Sequence, residues 1–126
     1  MSNTLLFVSS MVMSMMHVYC SILFRPLDTS LKLIVYAGSV TSVINHSSSL
    51  WIARIMDRTM MFIGACYDMY FLYTHSTPMY FLIMAIALFA LSKLTNNYYI
   101  HASSHICIAC NHGLMMHVSA ISHLAI

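Results

Sequence analysis

Five Lys or Arg and three Asp or Glu are the only charged side chains in 126 residues, while 60% of the residues are hydrophobic. Soluble domains carry about 25% charged residues. A chain this short leaves much of its surface exposed on folding, so it cannot hide that much apolar area from water. The expectation is an all-α integral membrane helical bundle, because a helix satisfies its own backbone polar groups in lipid. The net charge of +2 includes no basic run, which excludes a nucleic-acid partner. Cys20, Cys66, Cys107 and Cys110 sit in apolar stretches and are expected as free, small hydrophobes. Eight histidines are the unusual feature, since ionisable groups at membrane depth are costly and tend to be functional.

The chain is expected to form one transmembrane domain of about three long helices or up to five shorter ones. Residues 5–24 are long enough to span a bilayer core. No Lys or Arg precedes Arg25, which argues against a signal peptide. His17 in this segment is expected to bond a neighbouring helix rather than ligate. Arg25-Pro26 stops the segment, and 25–37 is read as a connecting stretch carrying the cap-forming Asp28, Thr29 and Ser30. Residues 38–73 fit either one long helix or two with a break near Asp57. In both, Arg54, Asp57 and Arg58 share a face and can pair. His75-Ser76-Thr77-Pro78 is a turn. A helix over 79–111 follows, with the polar stretch 92–97 as a kink or short loop in it, Asn111-His112-Gly113 as its end and 112–126 as a short tail.

A reversal at 75–78 puts His46 about level with His105, at about 1.5 Å of rise per residue. With shorter helices, His46, Asp57 and His101 still meet at one face. Ser42, Asn45, His46, Arg54, Asp57, His101, His105 and His112 are therefore the candidate polar set. Such a set suits a histidine-ligated haem, or a quinone held by one or two donors in an apolar pocket. It also suits plain interhelical contacts.

The stretch Arg25-Pro26-Leu27, Tyr36 and Thr41–Ser49 resembles the membrane-anchor, cytochrome b subunit of succinate dehydrogenase, respiratory complex II. That family has Arg-Pro-Leu and then a Ser-x-x-His-Arg signature opening a membrane helix. Ser42 aligns with its quinone-contacting serine, Asn45 with its His and His46 with its Arg. His105 and His112 keep the spacing of its haem-ligating second signature, with Ala109 and Asn111 in place of Gly and Arg. Ile100-His101-Ala102 and Ser49…Arg54 resemble the smaller anchor subunit. The resemblance implies a non-catalytic subunit in the mitochondrial inner membrane, in electron transport and the tricarboxylic acid cycle. It implies quinone binding by Ser42, Asn45 and His46. It implies haem b held by His105, with His101 and Arg54 as further haem contacts, and ubiquinone as electron acceptor. The implied partners are the iron–sulfur and flavoprotein subunits, a second anchor subunit and lipids.

A second resemblance is to the zinc-dependent membrane hydrolases of the alkaline ceramidase and adiponectin-receptor group. Ser42-Val43-Ile44-Asn45-His46, Asp57 and His101-Ala102-Ser103-Ser104-His105 match its Ser-x-x-x-His, Asp and His-x-x-x-His signature. It implies zinc held by His46, His101 and His105, the three-protein-ligand set of a catalytic site. A third expectation is an accessory structural subunit of a respiratory membrane complex, with no site of its own. Cys107-x-x-Cys110 in an apolar helix is expected to be packing, since Asn111 precedes His112 where c-type haem attachment needs Cys-x-x-Cys-His.

Overall fold

The computed structural model describes residues 2–25 and 27–125 and the side chains from Thr4 onward. Met1, Pro26 and Ile126 lie outside the described residues, and the helix-stopping role expected of Pro26 lies there too. The described chain is all helical: α1 Ser2–Leu23, α2 Thr29–Ser47, α3 Trp51–Thr74, α4 Tyr80–Thr95 and α5 Tyr98–Leu124.

Five helices form where three long ones were one of the two expectations, and the breaks have local causes. The connecting stretch expected over 25–37 is mostly helix. Asp28 caps α2, its Oδ1 accepting from the Leu31 backbone N–H at 3.0 Å, so the helix begins at Thr29 rather than near Gly38. The break expected near Asp57 falls instead at Ser48–Leu50. Serine competes with helical backbone bonding, and the extended Ser48 closes α2 with its N–H on the Ile44 carbonyl. The expected turn at 75–78 separates α3 from α4, with Ser76 at φ 51°. The interruption expected at 92–97 within the helix over 79–111 is a full break at Asn96-Asn97. Asn96 takes the left-handed conformation at φ 53°, which asparagine tolerates better than most residues. The Asn97 side chain then accepts from the Tyr99 and Ile100 N–H groups. The helix end expected at 111–113 does not form, and α5 runs through the supposed tail. Asn111 and His112 point their polar atoms at Asp68 of α3 rather than at their own backbone.

Packing runs α3–α2–α1–α5–α4, and α3 and α4 barely touch. The interior is unusually polar. Ser10, His17, Asp68 and Asn111 are as buried as Leu31, Leu72, Leu82 and Met115. The outside carries large apolar residues such as Tyr19, Leu33, Trp51, Phe62, Tyr73 and Leu94. Thr4–Leu23 is long and apolar enough to cross a membrane, and Tyr80–Thr95 is apolar but shorter.

The Asp28 cap carries a testable consequence. The Leu31 N–H first, and then the Tyr67 hydroxyl, hold the Asp28 carboxyl below the ordinary carboxylate range. A depressed carboxyl stabilises the fold above its unfolded pKa, and that stabilisation is lost as pH falls through the lower folded value. Asp28→Ala should cost about 1 kcal/mol at neutral pH and show a smaller acid-dependent loss than wild type, measured by thermal melting at pH 7 and pH 3.

Candidate metal centre

Two helices deliver three histidines to one point. His46 stands on the last turn of α2, while His101 and His105 share a face of α5, four residues apart. Ring centroids are 5.4 Å apart for His46–His101, 5.3 Å for His46–His105 and 5.0 Å for His101–His105. One nitrogen from each ring lies within 4.8 Å of the others. Three imidazole nitrogens at about 2.1 Å from a tetrahedral ion stand roughly 3.4 Å apart, so modest ring rotations close the set.

Neighbouring groups orient these rings. Ser9 of α1 donates its hydroxyl to the Leu6 carbonyl at 3.0 Å, and its Oγ lies 2.8 Å from His105 Nδ1. With the hydroxyl proton committed to Leu6, Nδ1–H of His105 donates to Ser9, which leaves Nε2 free as a ligand. Such a partner on the far nitrogen is the usual companion of a metal-bound histidine. His46 Nε2 is buried and has no hydrogen-bond partner. A buried polar atom left bare is costly, and a metal ion would satisfy it. The Phe89 ring meets His101 edge-on at 5.2 Å. Ser9→Ala should weaken zinc binding by roughly 10- to 100-fold, the cost of losing such a partner, measured by competition with a chromophoric chelator.

Asp57 is buried at 5% exposure and accepts from the Asn45 side-chain amide at 2.7 Å. It does not pair with Arg54 or Arg58 as expected; among the described residues its carboxylate forms no ion pair. Arg54 and Arg58 are exposed. The reason lies in the chain break at Ser48–Leu50, which folds α3 back along α2 and brings Asn45 to Asp57.

Ser42, Asp57 and His105 line a cavity of about 160 Å³ that all five helices wall. Its sides are largely apolar, including Ile34, Met60, Leu82, Ile86 and Phe89. Of the residues expected at a quinone or haem, Ser42 faces this cavity, Asn45 serves Asp57, and His46 joins His101 and His105. Arg54 stays outside the site. The convergent rings do not fit a haem: a macrocycle centred on His105 would occupy the space held by His46 and His101. They fit a single metal ion.

A second group went unnoticed in the sequence. Asp68 Oδ2 accepts from Asn111 Nδ2 at 2.9 Å and lies 3.0 Å from His112 Nε2. His112 Nδ1 lies 3.0 Å from His17 Nε2, and His17 Nδ1 lies 2.7 Å from Ser39 Oγ. His17 thus bonds neighbouring helices, as the sequence suggested. The available signal was the seven-residue repeat from Ser39 to His46 and from His105 to His112, which puts both groups on the same helix faces. The four cysteines are free. No family model, curated protein or solved structure matches this chain, so its functional reading stands on the site itself.

Proposed function

We propose that the protein is a zinc-dependent hydrolase of the membrane, acting on an amide or ester bond of a lipid-phase substrate. The observation that carries this reading is the convergence of His46, His101 and His105 with the bare, buried Nε2 of His46. His46, His101 and His105 would hold the zinc, which when bound would supply Lewis-acid chemistry and an activated water near neutral pH. The chain's own residues then have distinct tasks. Ser9 holds the tautomer of His105. Asp57, fixed by Asn45 and lining the same cavity as His105, takes and returns a proton at the scissile bond, the general acid–base role. Ser42 offers a hydroxyl to the substrate's developing negative oxygen. The apolar walls take up a hydrocarbon chain, and the thin contact between α3 and α4 gives a sideways entrance.

The membrane setting is supported by the apolar exterior around a polar interior, the reverse of what water demands. It is also supported by the span-length α1. In lipid, such interior polar groups serve as interhelical contacts or functional sites.

The anchor-subunit reading is favoured by one observation, the Ser42 hydroxyl on the wall of an apolar cavity, which suits a quinone carbonyl. One preparation separates the two. Protein purified into lipid nanodiscs should carry one zinc per chain by elemental analysis. It should release fatty acid from a panel of fluorescent amide- and ester-linked lipids, and lose that release with a chelator. Asp57→Asn should keep the zinc and lose the release. Metal-free protein that shows no hydrolysis, and that co-purifies with a flavoprotein and an iron–sulfur protein, would sink the hydrolase and put the anchor in its place.

A further inference from the structure

We propose that Ser39, His17, His112 and Asp68 form a proton relay, which takes a proton from the cavity at Ser39 and holds it on the His112 imidazole against Asp68. It rests on the hydrolase reading only for where that proton originates.

Four helices contribute one group each, and the groups join end to end. Ser39 Oγ lies 2.7 Å from His17 Nδ1, His17 Nε2 lies 3.0 Å from His112 Nδ1, and His112 Nε2 lies 3.0 Å from Asp68 Oδ2. Both nitrogens of both rings are engaged, with a hydroxyl at one end and a carboxylate at the other. All four residues are buried, and all four line the cavity that also holds Ser42, Asp57 and His105. Seven residues separate Ser39 from His46 and His112 from His105, about 10 Å along a helix. Ser42 stands between the two levels on α2.

The proton count allows two arrangements. Ser39 Oγ lies 2.8 Å from the Val35 carbonyl as well as 2.7 Å from His17, and its single proton serves one of them at a time. In the first arrangement Ser39 donates to His17 Nδ1, His17 Nε2–H to His112 Nδ1, and His112 Nε2–H to Asp68. In the second Ser39 donates to Val35, and His17 Nδ1–H donates to Ser39. The His112 imidazolium then donates to both His17 Nε2 and Asp68. Converting the first to the second takes one proton. It arrives on Ser39 Oγ, the proton already there passes to His17 Nδ1, and the His17 Nε2 proton passes to His112 Nδ1. No bond to carbon changes, and the charge gained on His112 is matched by the Asp68 carboxylate.

Isolated polar contacts between helices need only pairs; a continuous chain through both nitrogens of two rings is what proton transfer needs. The groups facing the chain are few. α1 brings His17 and α2 brings Ser39. α3 brings Asp68, and α5 brings His112 and Asn111, whose amide donates to the same Asp68 oxygen. The cavity-lining residues of α4 are the apolar Leu82, Ala85, Ile86 and Phe89. Among the described residues no Lys or Arg pairs with Asp68.

Nitrogen-15 spectra of histidine-labelled, metal-free protein in nanodiscs test the relay, with His17→Gln and His112→Gln assigning the signals. As pH falls, His112 should become imidazolium and His17 should change from the Nε2–H to the Nδ1–H tautomer at one shared midpoint. Ser39→Ala takes one bond from the first arrangement, to His17, and two from the second, to His17 and Val35, and should lower that midpoint by about one pH unit, the size of that one extra bond. Ser39→Thr should restore it. Separate midpoints for the two rings, a His17 tautomer that never changes, or an unmoved midpoint in Ser39→Ala overturns the relay. Absence of bound zinc in the same protein would sink the hydrolase reading and leave this titration as it stands.

Discussion

His105→Ala is expected to abolish zinc binding, lowering affinity by more than about 100-fold, beyond what loss of a supporting partner alone costs. His105 packs against both other rings and is held by Ser9 from a third helix, so its removal takes the best-anchored ligand of the three. The remaining His46 and His101 leave two donors, fewer than the three that a catalytic zinc site uses. The readouts are zinc content by elemental analysis and melting temperature with and without added zinc. Wild type should gain about 2.7 kcal/mol when free zinc is 100 times its dissociation constant, and the variant should gain nothing. A variant that retains one zinc per chain would place the metal elsewhere. Surface His75→Ala, on the α3–α4 turn, is the control that should leave zinc binding unchanged.

Asp68→Ala should be the most destabilising single substitution in the bundle interior, costing about 2–6 kcal/mol, at about 1–3 kcal/mol for each of the two buried donors it strands. Asp68 is fully buried and is the shared acceptor for Asn111 and His112. Its loss strands both donors on α5 and the His17 ring behind them. Asp57→Ala should cost less, because among the described residues Asn45 is its single hydrogen-bond partner. Helical circular dichroism on heating detergent-solubilised protein gives the ranking. Equal losses for the two variants would mean that the Asp68 group contributes no more than an ordinary polar contact.

Much of this molecule was legible in its residues. The turn at 75–78 was readable because Ser-Thr-Pro has few conformations compatible with helix. The meeting of His46 with His101 and His105 was expected from two continuous arms about the 75–78 turn; both arms are broken, and the rings meet because the end of α2 lies against the start of α5. The helix count was harder. Ser47-Ser48-Ser49 and Asn96-Asn97 end helices through local caps, but serine and asparagine also occur within helices, so composition alone leaves kink, loop and break alike. Asp57 was assigned to the arginines beside it, since sequence shows neighbours on one helix and not the asparagine across a hairpin. His17 and Asp68 gave no sign of belonging together, as they lie on helices far apart in the chain.

The sequence by itself determined that the chain is helical, with three charged carboxylates and eight histidines in an apolar background. Composition and helical periodicity act locally, and they decide which faces carry polar groups. The tertiary structure alone decided which polar groups become partners. It packed α1 between α2 and α5, which joined Ser9 to His105 and His17 to both Ser39 and His112. Hydrogen bonds and metal ligation need atoms within a few ångströms, and at that range only the packing order of the helices chooses the pairs.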